Sequence, residues 1–172
     1  MSNSLARCEG SITTLSSGRL RSVSAAPSSA SAGASTDSNV PDAITAAGNA
    51  HKKTGTTSLV ASLVTENISD LKEQIQRLVP FYTRGEIVGI HLEGPFLSHA
   101  RCGAHEPTLL IDPTVPLLQE LIDVGQGSIK MVTIAPELNG AVESIDYLRS
   151  VGVLVAIGHT EASSIEASLA TN

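Results

Sequence analysis

The sequence holds two cysteines, Cys8 and Cys102, and no tryptophan; two phenylalanines and two tyrosines are its only large aromatics. So few cysteines exclude a disulfide-built scaffold and suit a reducing compartment such as the cytoplasm. Bases are scarce, 11 against 17 acids for a formal charge of −6, and Lys52-Lys53 is the only adjacent basic pair. A surface of that sign does not displace counterions from phosphates, which argues against a nucleic-acid partner. Apolar runs stop at five or six residues, far short of the ~20 that a membrane-spanning helix needs. With so few aromatics, the 41% hydrophobic share must fill a core with Val, Ile, Leu and Ala. That is α/β material, in a chain of 172 residues with room for one domain and a tail.

The chain changes character near residue 40. Residues 1–40 carry twelve serines and six alanines with no apolar periodicity. Such a segment buries too little apolar area to offset its ordering entropy, so a disordered tail is expected there. Its arginines and scarcity of acids resemble an organellar transit peptide in composition, but no amphipathic period accompanies them. The domain is expected over residues 41–172.

From Pro41 onward helical and strand patterns alternate. The spacing predicts a helix from Ala43 to about Lys53, a strand over Thr56 to Val64, and a helix capped at Asn67 or Ser69 and stopped by Pro80. A second strand follows over Glu86 to Leu92, then a long loop from Gly94 to about Pro113 and a helix over Thr114 to Val124. A third strand spans Ser128 to Ala135, Asn139 caps the next helix, Val153 to Ile157 is a fourth strand, and a last helix starts near Glu161. Continuous Val, Ile and Leu strands are buried on both faces, which implies a parallel sheet covered by helices. Four βα units in this order fit a doubly wound sheet or a stretch of a (β/α)₈ barrel. No Walker A or G-x-G-x-x-G motif follows any strand, which weakens the nucleotide-binding version.

In parallel α/β folds reactive groups gather at the C-terminal ends of strands. Two such ends are chemically loaded: Gly89-Ile90-His91-Leu92-Glu93-Gly94 and Val155-Ala156-Ile157-Gly158-His159-Thr160. Glu93 and His159 are suitable ligands for a divalent metal, and their separation of 66 positions is about two βα units. Each also has a plain structural reading. Glu93 can cap a loop amide or pair with Arg101, and His159 can hydrogen-bond locally at a helix start. His91 shares a side of its strand with Glu93 and reads as a packed histidine. His99, Cys102 and His105 form an H-x₂-C-x₂-H run too tight to wrap a tetrahedral zinc, with no fourth ligand nearby.

The string HLEGPF at His91 to Phe96, followed by RCGAH at Arg101 to His105, resembles the N-acetylglucosamine-6-phosphate deacetylases of the amidohydrolase superfamily. GTTSLVASLV at Gly55 to Val64, TIAPEL at Thr133 to Leu138 and AIGHT at Ala156 to Thr160 agree, in the family's order. The resemblance implies a (β/α)₈ barrel and one divalent metal ion, with Zn, Fe, Mn and Co all acceptable. It also implies hydrolysis of the acetamide of N-acetylglucosamine 6-phosphate to acetate and glucosamine 6-phosphate. Carried over by position, Glu93 and His159 are metal ligands, and Ala104 and His105 are substrate-contacting loop residues. A metal ion in such a site polarises the amide carbonyl and activates water near neutral pH. Full-length relatives are expected to be homodimers.

Departures from the family pattern are equally visible. The small β-domain and His-rich first barrel strand of relatives do not appear ahead of the domain. A second metal histidine, further sugar and phosphate contacts and the general acid/base aspartate are expected beyond Asn172. Residues 41–172 amount to about half of a typical ~250-residue barrel, so a truncated or fragmentary member is expected, inactive alone. The alternative is a non-catalytic remnant or interaction module that binds sugar phosphate weakly.

Overall fold

Short runs of Leu, Val and Ile make the middle of a single sheet, as their β propensity and two-sided burial require. A computed structural model describes residues 11–16, 19–24 and 55–164, with isolated positions 45, 48, 49, 53, 167 and 168. Among the described residues the sheet has six strands: β1 (Ser11–Ser16), β2 (Arg19–Ser24), β3 (Ser58–Val64), β4 (Gly89–Glu93), β5 (Ile129–Ile134) and β6 (Leu154–Ile157), in the order β2-β1-β3-β4-β5-β6. Strands β3 to β6 are mutually parallel. They are linked by α1 (Ile68–Thr83), α2 (Val115–Gly125) and α3 (Ala141–Ser150). Their spatial order follows chain order with no switch point, the winding of a (β/α)₈ barrel. No described helix is long and apolar enough to cross a membrane.

Strands β1 and β2 pair antiparallel with each other, and β1 pairs antiparallel with β3, in the segment where composition leads to an expected disordered tail. Residue types there (Ile12, Thr13, Thr14, Val23) favour extended backbone, and the pairing occupies an otherwise open edge of β3. Of the helix expected over Ala43 to Lys53 only positions 45, 48, 49 and 53 are described, all helical; its other positions, most of the helix expected after Glu161 and the proposed boundary near residue 40 lie outside the described residues.

Alternation along β4 sorts the two faces of the sheet. Ile90 and Leu92 point to the helices and are fully buried with Val132 and Ile134 of β5, Leu71 and Ile75 of α1, Leu118 and Leu121 of α2, and Leu148 of α3. His91 and Glu93 point to the opposite, polar face.

Helix ends follow local chemistry, with two departures from the expected pattern. Asn67 caps α1, its side-chain oxygen accepting from the Asp70 N–H at 3.0 Å. The helix runs through Pro80 rather than stopping there. Proline removes an N–H from the ladder, yet continuing the turn carries Phe81 into the core at 3% exposure. Helix α3 is capped by Gly140 at φ 74°, not by Asn139. A Cβ on Gly140 would sit 2.6 Å from the Pro113 carbonyl oxygen, and the Asn139 amide instead donates to the Asp112 carboxylate at 2.9 Å.

If Phe81 holds the last turn of α1 in place, Phe81→Ala lowers stability by about 3–5 kcal/mol. Urea denaturation followed by circular dichroism measures this, and a loss below about 1 kcal/mol would show that the turn is held by something else.

Candidate metal centre

The C-terminal ends of β3, β4 and β6 bring Thr65, Glu93 and His159 into one polar cluster. Glu93 is the last residue of β4, and His159 follows β6 by two positions with φ 50°. Their facing atoms, Glu93 Oε1 and His159 Nε2, are 3.3 Å apart. His105 comes from the loop between β4 and α2, its ring edge-on to that of His159 with centroids 4.8 Å apart. One ligand atom from each of Glu93, His105 and His159 lies within 4.8 Å of the others, and all three side chains are partly buried.

The hydrogen bonds around His159 assign the roles of its two nitrogens. Nδ1 lies 3.0 Å from the Arg101 carbonyl oxygen, a group that only accepts, so Nδ1 carries the proton. In the neutral ring Nε2 then presents a lone pair to a carboxylate oxygen at 3.3 Å. Two lone pairs at that distance repel unless a cation or a proton lies between them. Two ligands of a tetrahedral ion, each bound at ~2.0–2.1 Å, stand about 3.3 Å apart. The donor set therefore fits a divalent ion: one carboxylate, one imidazole oriented by a carbonyl at its far nitrogen, and a second imidazole in reach.

The Thr65 hydroxyl, just past β3, is 2.7 Å from His105 Nδ1 and also reaches the Glu93 carbonyl oxygen at 3.5 Å. That contact holds the ring and leaves Nε2 as the nitrogen available to a ligand. Gly94, at φ 104°, makes room for it: a Cβ there would lie 2.0 Å from Thr65 Oγ1. His91 lies beneath Glu93, its Nδ1 2.8 Å from the Ser62 hydroxyl and its Nε2 2.8 Å from the Thr133 hydroxyl. Both its nitrogens are engaged, so it ties β3, β4 and β5 together instead of facing the cluster.

Of the sequence candidates, Glu93, His159 and His105 are brought together. Ala104 is exposed on the turn beside His105. The tight H-x₂-C-x₂-H run is split, and only His105 enters the cluster found among the described residues. Arg101 does not pair with Glu93; its guanidinium lies 3.6 Å from Glu161 while its carbonyl orients His159. Thr65, Ser62, Thr133 and Glu137 shape the site without having been singled out from the sequence. The only early sign of the first was its place one residue past a strand end.

No family model matches the chain. An N-acetylglucosamine-6-phosphate deacetylase from Lysinibacillus sphaericus is 32% identical over 116 residues, covering 64% of this chain and 30% of that protein. An N-acetylgalactosamine-6-phosphate deacetylase from a Shewanella species is 32% identical over 118 residues, covering 66% of this chain and 29% of that protein. A solved structure of N-acetyl-D-glucosamine-6-phosphate deacetylase from Mycobacterium smegmatis, in complex with N-acetyl-D-glucosamine-6-phosphate, superposes with a TM-score of 0.74 at 45% identity, over 76% of this chain and 34% of that one. Fold and sequence together mark the sheet as part of a (β/α)₈ barrel. The chain resembles the N-acetylglucosamine-6-phosphate deacetylases, and it spans about 30% of the length of the curated relatives it matches.

Burial lowers the pKa of His91 against an opposing pull from Glu93, and burial together with His159 lowers that of His105, again opposed by Glu93. A histidine held below its ordinary value stabilises the fold as the neutral ring. That contribution is present above about pH 6.5 and is lost as pH falls through the depressed folded value. For the chelator-treated chain, the urea midpoint is expected to drop between about pH 7 and pH 5, less steeply in His91→Gln. A midpoint that stays level across this range contradicts the assignment.

Proposed function

We propose that this chain supplies the metal-holding corner of an N-acetyl-amino-sugar-phosphate deacetylase, with Glu93 and His159 as ligands of one divalent ion. The observation that carries the reading is the 3.3 Å approach of an imidazole nitrogen to a carboxylate oxygen, at the end of the sheet where barrel enzymes place their chemistry. An ion bound there polarises an amide carbonyl and lowers the pKa of water. Zn, Fe, Mn and Co all accept this donor pair. The Arg101 carbonyl and the Thr65 hydroxyl hold the two histidine rings in place. Ala104 and His105, on the loop over the cluster, face the amino-sugar phosphate, with His105 Nε2 hydrogen-bonding a sugar hydroxyl or phosphate oxygen. The substrate class follows from relatives named for both 2-acetamido-hexose 6-phosphates, and removal of the N-acetyl group as acetate places the reaction in amino-sugar catabolism. A cytoplasmic location fits the free thiol of Cys102.

The 172-residue chain by itself is expected to bind metal without turning over substrate. The cluster among the described residues offers a single carboxylate, that of Glu93, and a group committed to a metal is not free to shuttle the proton.

Equilibrium dialysis of the chelator-stripped chain against Zn²⁺ or Co²⁺ checks the proposal. About one ion per chain is expected, with affinity reduced more than tenfold in Glu93→Gln and in His159→Gln. Unchanged binding in both variants removes the proposal's basis. Release of glucosamine 6-phosphate by the unmodified chain, abolished by Glu93→Ala, would overturn the expected lack of turnover.

A further inference from the structure

Three loops at the C-terminal end of the sheet meet on one carboxylate that the proposed chemistry does not use. Glu137, three residues past β5, accepts hydrogen bonds from the Thr160 hydroxyl and from the Glu161 N–H, the latter at 2.7 Å. The Ser98 hydroxyl, on the loop after β4, also hydrogen-bonds to it. Thr160 Oγ1 accepts in turn from the Ala162 N–H at 2.8 Å. On the other side of the same segment, the Ser98 N–H donates to the His159 carbonyl at 2.9 Å. His159 lies between these fastenings at φ 50°, a left-handed conformation that a non-glycine residue keeps only where its surroundings over-determine it.

We propose that Glu137 is a positioning residue for His159. By gripping the two residues that follow, it holds the left-handed turn that aims Nε2 at Glu93. The functional consequence rests on the reading of Glu93 and His159 as ligands. Removing the carboxylate frees Thr160 and the Glu161 amide, lets the turn relax, and sends the imidazole away from the carboxylate it faces. Glu137→Gln retains a carbonyl oxygen for the Glu161 N–H and sets an NH₂ group against Thr160 Oγ1, so it preserves the clasp that Glu137→Ala abolishes.

The test measures Co²⁺ affinity of the full chain by equilibrium dialysis and, with metal removed, amide hydrogen exchange and the His159 ring resonances by NMR. Glu137→Ala is expected to lose about 10–100-fold in Co²⁺ affinity, the range for groups that orient a ligand from behind, while Glu137→Gln stays close to the unmodified chain. In the metal-free chain the Glu161 amide loses protection and the His159 ring shifts in Glu137→Ala only, with unchanged far-ultraviolet circular dichroism. Retained affinity in a folded Glu137→Ala overturns the proposal, as does equal loss in Glu137→Gln. Should Glu137→Ala fail to fold, Thr160→Val removes one arm of the clasp alone and must weaken Co²⁺ binding, or the proposal fails. Should the unmodified chain take up no metal, the ligand reading falls, and the positioning role stands or falls on the metal-free NMR comparison.

Discussion

One contact organises this end of the molecule: a carboxylate oxygen of Glu93 facing an imidazole nitrogen of His159 at 3.3 Å. The Arg101 carbonyl holds a proton on the far side of the ring, so in the neutral ring the near side meets the carboxylate as lone pair against lone pair. Such an arrangement costs free energy in an unliganded, neutral state and is stabilised by whatever positive charge enters between the two atoms. The surrounding structure has to impose it. Parallel β4 and β6, separated by β5, set the two backbones at one level, and the loops set the side-chain directions.

That imposition is visible in the number of fastenings on residues that are themselves polar and partly exposed. The two ring nitrogens of His91 are fixed by hydroxyls on the strands to either side, which stiffens β4 directly below Glu93. Thr65 holds His105, and only a residue without a Cβ at position 94 leaves Thr65 room to do so. Gly103 lies opposite, against the His159 ring, and is favoured there by its left-handed backbone at φ 62° rather than by lack of space. Gly94 leaves space beside Thr65 and Gly103 supplies a left-handed turn, and together they bring the loop after β4 over the histidines. The loop is thus held to the site through backbone and hydroxyl groups more than through charge.

The order of strands and helices was legible because it is written in apolar spacing: the runs around Val60, Ile90, Val132 and Val155 became β3 to β6, and the stripe Leu71, Ile75, Leu78 became the buried side of α1. Glu93 and His159 were legible as ligand types at strand ends. Their mutual approach was not, because it depends on register between strands two apart in the sheet. Local patterns also misplaced two helix ends. Pro80 marks a stop only if nothing beyond it needs burial, and Phe81 does. Asn139 is a good capping type, but Asp112 competes for its amide and Gly140 tolerates the left-handed turn that the helix start requires. The β1–β2 ribbon was hidden by composition: serine-rich segments look unstructured until an open strand edge offers them partners.

The contacts of His105 define which chemistry its ring can take part in. In the sequence it belongs to a tight H-x₂-C-x₂-H run, and in the fold it leaves His99 and Cys102 behind to stand edge-on to His159. Its Nδ1 is taken by Thr65, so only Nε2 can serve a ligand, and burial lowers the tendency of that ring to hold a proton. A neutral imidazole is a competent metal ligand and also a competent hydrogen-bonding partner for a hydroxyl or phosphate oxygen, whereas an imidazolium is only a donor. Burial next to His159 therefore keeps both uses open to the ring at neutral pH. The two rings stand nearly perpendicular, at 79° with centroids 4.8 Å apart, an edge-to-face arrangement that lets two imidazoles share the space beside one carboxylate.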